Sequence, residues 1–175
     1  MDWKTAPLSE LIAHILCTHH DFLKRELPRL ETSLNSVYRG GRDKTLAALP
    51  ETLFLIKIDL ELHLRKEESS VFPAIEAAER AARSGSPFEC IANPIRGLQA
   101  EHDNLEEALA RLRAVTHNYR APPDAPDAHG ELVRGLAELD RNLTIHVDLE
   151  NDILFPRALA LHREFGTIIP NKRSF

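Results

Sequence analysis

The chain is predicted to be all-α, an up-down-up-down antiparallel four-helix bundle with an internal twofold repeat, and three observations predict it. Apolar residues recur with helical spacing along the 175 residues, and strand-like alternation is scarce. Stretches rich in Gly and Pro cut that pattern into four long segments. One pattern, His, Glu, Phe and Pro at offsets 0, 4, 9 and 10, occurs twice: as HLRKEESSVFP from His63 and as HVDLENDILFP from His146, 83 residues later. Together they predict one domain over residues 1–175, with the bundle at about 8–162 and a short tail.

The first helix is expected over 9–37, with Ser9 as its N-cap and the Gly pair of YRGGRD as its stop. The second covers 44–70 and bends at Pro73 into a short continuation through AIEAAERAAR. After the loop SGSPFECIANP, a third helix covers 95–119 and ends at the Pro-rich RAPPDAPDAHG. The fourth spans 131–149 and runs on past Pro156 towards His162, and the tail GTIIPNKRSF is expected to be irregular. Phe72–Pro73 and Phe155–Pro156 are expected to close the bundle ends, with Phe turned inward, and Tyr38 and Tyr119 to pack at helix ends.

The stripes that face the core carry polar residues. In the fourth helix Leu132, Leu136, Leu139, Leu143, His146, Glu150 and Ile153 step by four and three, so a His and a Glu stand where leucines are expected. The second helix repeats this with Leu53, Ile56, Leu60, His63 and Glu67. The third places His102 among Ile95, Leu98, Leu105, Leu109 and Leu112. The first offers Ile12 or Ala13, Leu16, His20, Leu23, Leu27, Leu30 and Leu34, which selects His20 and leaves His19 at the edge, beside the site or on the surface. His14, His117, His129 and His162 fall off the stripes or in loops and are expected at the surface.

A lone histidine on an apolar stripe is ordinarily a structural core residue. Six polar groups converging on one interior are different: uncompensated burial of two carboxylates and four imidazoles is prohibitive, and a metal supplies the countercharge. Without Cys in the set, soft-ligand sites are excluded. The six groups exceed the needs of one tetrahedral zinc. Divided over two ions they give two His each and two Glu to bridge. One oxo or hydroxo bridge then brings each ion to five ligands, with about one position open. Mixed nitrogen and oxygen ligation of this kind favours two iron ions and ranks manganese and zinc behind. Glu106, four residues after His102, is either an additional ligand or a solvent-facing residue beside Glu107.

Composition narrows the partners. A net charge of −5 leaves no basic stripe for nucleic acid or an anionic membrane. No stretch approaches the roughly 20 apolar residues of a membrane span. The start MDWKTAPLSELI lacks the features of a signal peptide, so a cytoplasmic location is expected, with Cys17 and Cys90 both reduced. A monomer or homodimer is expected.

The pieces THHD, HLRKEESSVFP, EHDNL and HVDLENDILFP resemble the hemerythrin-like, HHE cation-binding family. Over about residues 8–161 the likeness is nearest to its di-iron repair of iron centres proteins, which respond to nitric oxide and oxidative stress. The resemblance implies that His20, His63, His102 and His146 are terminal iron ligands and that Glu67 and Glu150 bridge the irons. It places Asp59 and Glu101 where those proteins carry channel-lining carboxylates. Those proteins usually carry an N-terminal extension with paired cysteines, whereas this chain begins at the bundle. Oxygen-carrying hemerythrins have a fifth His where this chain has Glu106, so oxygen carriage is the weaker expectation. The function implied is iron-centre repair or iron donation with NO or O2 reactivity towards an iron-acceptor protein. The alternatives are an O2, NO or redox sensor or carrier, and an enzyme reducing NO or peroxide.

Overall fold

A computed structural model of the chain describes residues 2–40 and 47–165. Among the described residues every regular element is helical, and the helical segments join into four rods: α1 over 8–40, α2 over 49–84, α3 over 92–115 and α4 over 127–165. The stop at YRGGRD, the tail GTIIPNKRSF and the side chains of Tyr38 and His162 lie outside what is described. No helix among the described residues is long and apolar enough to cross a membrane.

Several ends differ from the sequence expectation for local reasons. Pro7, not Ser9, is the N-cap of α1 and provides no side-chain bond. Instead the free N–H groups of Leu8 and Ser9 donate to the Glu79 carboxylate at 2.7 and 3.2 Å, which ties the start of α1 to α2. Burial alone would raise the Glu79 carboxyl, but these two backbone bonds outweigh it and hold it below the usual range. Gly85 closes α2 with φ +65, a conformation that glycine adopts without strain.

The third helix stops at Val115, short of Tyr119, because His117, Asn118 and Tyr119 all take left-handed φ values of 49, 57 and 60. Side chains hold this turn. Thr116 Oγ1 accepts the Tyr119 N–H at 3.2 Å, and the Tyr119 hydroxyl donates to Asp140 at 2.6 Å. The fourth helix starts at Asp127, four residues early. That extra turn puts His129 on the face shared by Leu132, Val133 and Leu136, so it is 2% exposed and not a surface residue.

Packing is closest between α1 and α4 and between α2 and α3. At Gly135 of α4 a Cβ would lie 2.8 Å from Leu30 Cδ2 and 2.6 Å from the Arg29 guanidinium, so glycine lets the two rods approach. The buried apolar residues form two separate clusters. One gathers Leu23 to Leu34, Leu49 to Leu64, Leu105 to Leu112 and Leu132 to Leu143. The other gathers Leu8 to Ile15, Val71 to Ala78, Phe88 to Leu98 and Leu154 to Ala158. The polar stripe residues lie between them along every rod.

The buried Asp140 carboxylate joins α3, the turn and α4, accepting from Arg113 Nε and Nη2 at 2.7 and 2.6 Å as well as from Tyr119. Asp140→Ala is expected to cost about 2 kcal/mol. That corresponds to a thermal midpoint lower by roughly 4–8 °C for a chain of this size, measurable by calorimetry.

Candidate metal centre

Three wide turns shape the interior. Residues Leu16–His20 in α1, Glu67–Val71 in α2 and Leu149–Leu154 in α4 are π-helical. In each, a backbone N–H reaches five residues back: Asp21 to Leu16, Phe72 to Glu67 and Phe155 to Glu150. Each wide turn holds one extra residue, so the core face slips by one position. Ile15 is fully buried, and Leu16, expected on the stripe, is only partly so. In α4 the buried place passes from Ile153 to Leu154. In α2 and α4 the turn ends at Phe-Pro, where proline has no N–H to continue the ladder.

These turns bring six buried groups together: His20, His63, Glu67, His102, His146 and Glu150, none more than 4% exposed. They form two lobes. In one, His20, His146, Glu67 and Glu150 each offer a ligand atom within 4.8 Å of the others; in the other, His63, His102, Glu67 and Glu150 do the same. Each lobe therefore takes one histidine from residues 8–84 and one from residues 92–165. Both carboxylates span the two lobes. Glu67 directs Oε2 at His20 Nε2, 3.3 Å away, and Oε1 at His63 Nε2, 3.1 Å away. Glu150 directs Oε1 at His146 Nε2 and Oε2 at His102 Nε2, at 3.1 and 3.2 Å.

The electrostatics of this cluster favour a cation. His63 and His102 point their Nε2 atoms at each other across 3.1 Å, an approach that requires a proton or a metal ion between two lone pairs. His20 Nε2, both Glu67 oxygens and Glu150 Oε2 are buried without a protein hydrogen-bond partner. Burial pushes His63 towards neutrality, yet the close carboxylate of Glu67 and the bond to Glu101 overcome it and raise the ring to about 9. His20 is raised in the same way against its burial, through Glu67 and Glu68. Glu150 is held far below the carboxylate range, its burial overcome by His146 and His102. The donor set fits two divalent or trivalent ions with mixed imidazole and carboxylate ligation.

Residues outside the six orient the rings, and the sequence stripes did not single them out for this. His20 Nδ1 lies 2.8 Å from Glu68, whose carboxylate also binds Lys24 at 2.7 Å. His63 Nδ1 lies 3.0 Å from Glu101, which also pairs with Lys66. His102 Nδ1 lies 3.0 Å from Asn151 Oδ1. A carboxylate oxygen only accepts, so Nδ1 of His20 and His63 carries a proton and donates outward, and Nε2 is the ring atom turned to the centre. The legible signal was position: Glu68 and Asn151 each directly follow a buried glutamate.

His146 breaks the pattern. Its Nδ1 is buried with no hydrogen-bond partner. The ring instead stacks on His19 at 5.7 Å and 13°, and His19 Nδ1 lies 3.1 Å from Asn142 Oδ1. His19 is thus buried beside the site, and burial lowers its tendency to protonate. Phe72 and Phe155 do not close the bundle ends. They lie inside continuous rods as walls of the centre, their rings 5.6 Å from His20 and 5.9 Å from His102.

Glu106 is exposed and belongs to neither lobe. It lines a cavity of about 160 Å³ with Arg113, Thr144 and Asp148. Asp59 and Glu101 line another, of about 220 Å³, which reaches His63 between α2 and α3. His117 is exposed, and His14 is half-buried under a stacked Trp3 at 4.7 Å. Cys17 and Cys90 are exposed and unpaired.

Residues 11–158 match the hemerythrin HHE cation binding domain, a span that includes all six residues. The chain is 35% identical over 161 residues to the iron-sulfur cluster repair protein YtfE of Citrobacter koseri, covering 91% of this chain and 70% of that relative. The proteins of the same name from Escherichia coli O81 and Escherichia coli K12 match with the same identity and coverage. The chain belongs to the hemerythrin HHE cation-binding family.

Proposed function

We propose that the chain holds two iron ions and serves the repair of iron–sulfur centres, donating iron to a damaged acceptor protein under nitrosative or oxidative stress. The observation that carries this reading is the pair of buried carboxylates that each face both lobes, because that is the arrangement that joins two ions rather than one. The names of the relatives support the repair role. In this reading His20 and His146 hold one ion, His63 and His102 the other, and Glu67 and Glu150 bridge them. The same reading takes residues 1–175 as one domain with up-down-up-down antiparallel helices and a twofold repeat. Its support is the connections at 85–91 and 116–126 and the matched placement of His63–Glu67 and His146–Glu150. Two exposed, unpaired cysteines support a reducing, cytoplasmic setting.

The bound pair supplies open coordination positions and a change between ferrous and ferric charge. This chain's residues supply the rest. Glu68 and Glu101 hold the ligating rings in one tautomer, and Lys24 and Lys66 anchor those carboxylates from the surface. Phe72 and Phe155 keep bulk water from the two apolar sides. The cavity beside Asp59 and Glu101 offers a carboxylate-lined path on which NO, O2 or a departing iron ion could reach the centre.

The first experiment measures metal content and visible absorption, as isolated and after anaerobic reduction. About two irons per chain are expected, by the division of six ligands over two ions. One zinc per chain, or no metal after iron reconstitution, would end the di-iron reading. Glu67→Ala and Glu150→Ala should each lose the two-iron stoichiometry, and two coupled irons in both variants would remove the bridging assignment. Incubation of the ferrous protein with an apo iron–sulfur protein should transfer iron. Iron that stays in place while the chain changes shape would favour sensing instead.

The uneven support of the rings gives a further expectation. Under a ferrous chelator the two irons should leave in two phases, the lobe of His146 first. Glu101→Ala should lower affinity about 10- to 100-fold in the lobe of His63, bringing the slow phase close to the fast one.

A further inference from the structure

Among the described residues, most of the exposed large apolar side chains lie on one rod. Phe54, Leu55, Ile58 and Leu62 of α2 are 57%, 49%, 38% and 52% exposed, and the only other such residue among those described is Ile145. Advancing 100° per residue, Glu51, Leu55, Ile58, Leu62 and Arg65 fall within about 40° of a single line, with Phe54 at its edge. The steps are four, three, four and three, the spacing of a helix seam. This seam faces away from the core, whose own seam on α2 is Leu53, Ile56, Leu60 and His63. A helix this long needs one buried face, and α2 carries two apolar ones.

We propose that the outer seam of α2 is the interface of an isologous dimer, in which α2 packs antiparallel against α2 of a second copy about a twofold axis near Ile58. The charges at the seam's ends select this occupant. Glu51 lies seven residues before Ile58 and Arg65 seven after, both exposed. An antiparallel pair sets Glu51 of each copy opposite Arg65 of the other, at both ends of the apolar stretch. A parallel pair would oppose like charges. About the same axis Phe54 and Leu55 meet Leu62 of the second copy, so one surface serves as its own complement. A membrane surface is a poor occupant, because Glu51, Asp59 and Glu61 flank the seam and the net charge is −5.

The seam spans about 21 Å from residue 51 to residue 65 at 1.5 Å per residue. That is small for a protein interface, and a weak dimer whose population depends on concentration is expected. The seam also borders the cavity that reaches His63, since Leu62 lines both. The second copy would therefore stand beside that opening.

Sedimentation of the purified chain tests the interface without reference to metal or iron transfer. A mass near twice 19.8 kDa is expected well above the dissociation constant, falling to one chain well below it. Ile58→Asp should be a single chain throughout, with unchanged helical circular dichroism, because the residue is exposed. Glu51→Arg and Arg65→Glu should each weaken association by about tenfold or more, since each opposes like charges at both ends. The double variant E51R/R65E should recover the wild-type constant, and so should an equimolar mixture of the two single variants. A wild-type chain that stays single at several hundred micromolar would overturn the proposal. A dimer indifferent to Ile58→Asp, or one that the double reversal does not restore, would overturn it as well.

Discussion

Glu67 and Glu150 are two carboxylates with no exposed surface, and they stand close enough to share the same four imidazoles. Moving one ionised carboxylate out of water costs several kcal/mol unless charge and hydrogen bonds replace the lost hydration, and here there are two. Much of the interior is arranged around that debt of charge. Four rings direct Nε2 at the carboxylates, and outer carboxylates at Glu68 and Glu101 turn two of those rings the right way. The apolar core is split in two clusters so that this polar layer can lie between them. Cationic charge at the centre satisfies every part of the arrangement, which is why a metal-binding family accounts for it.

The backbone yields to the same constraint. A regular α-helix returns to one face every 3.6 residues, and the wide turns at Leu16–His20, Glu67–Val71 and Leu149–Leu154 add a residue at the level of the site. The change lets Ile15 and His20, Glu67 and Phe72, and Glu150 and Phe155 face inward although five residues separate each pair. A ligand and an apolar wall thus come from one rod at neighbouring levels. On α3, which contributes His102 alone to the buried cluster, the α-helical ladder runs on without a wide turn.

The two lobes are alike in ligand type and unlike in support. The residue before His102 is Glu101, which accepts from His63; the residue before His20 is His19, which stacks on His146. One carboxylate replaced by an imidazole removes an acceptor and a negative charge from one side of the centre. The ring of His63 is locked in tautomer and orientation, and that of His146 is steadied by stacking and shape. Two ions in such a site need not be held equally.

Much of this was legible in the amino-acid order, because periodicity and residue type are local properties. The four helical segments, the polar residues on their leucine stripes and the HxxxE repeat need no coordinates to be seen. They named the six buried groups and suggested two ions. The slip of register at Leu16 and Ile153 was hidden, since a wide turn is chosen by what packs around it and not by propensity. So was the burial of His129, which followed from a helix start four residues earlier than the periodicity indicated. Which histidines share a lobe was also hidden. His20 lies 43 residues from His63 and 126 from His146, yet it joins His146. Sequence order carries ligand chemistry, because side-chain identity is sufficient for it. Pairing, tautomer and the outer supports at Glu68, Glu101 and Asn151 are relations between rods, and only the packing of those rods in space decides them.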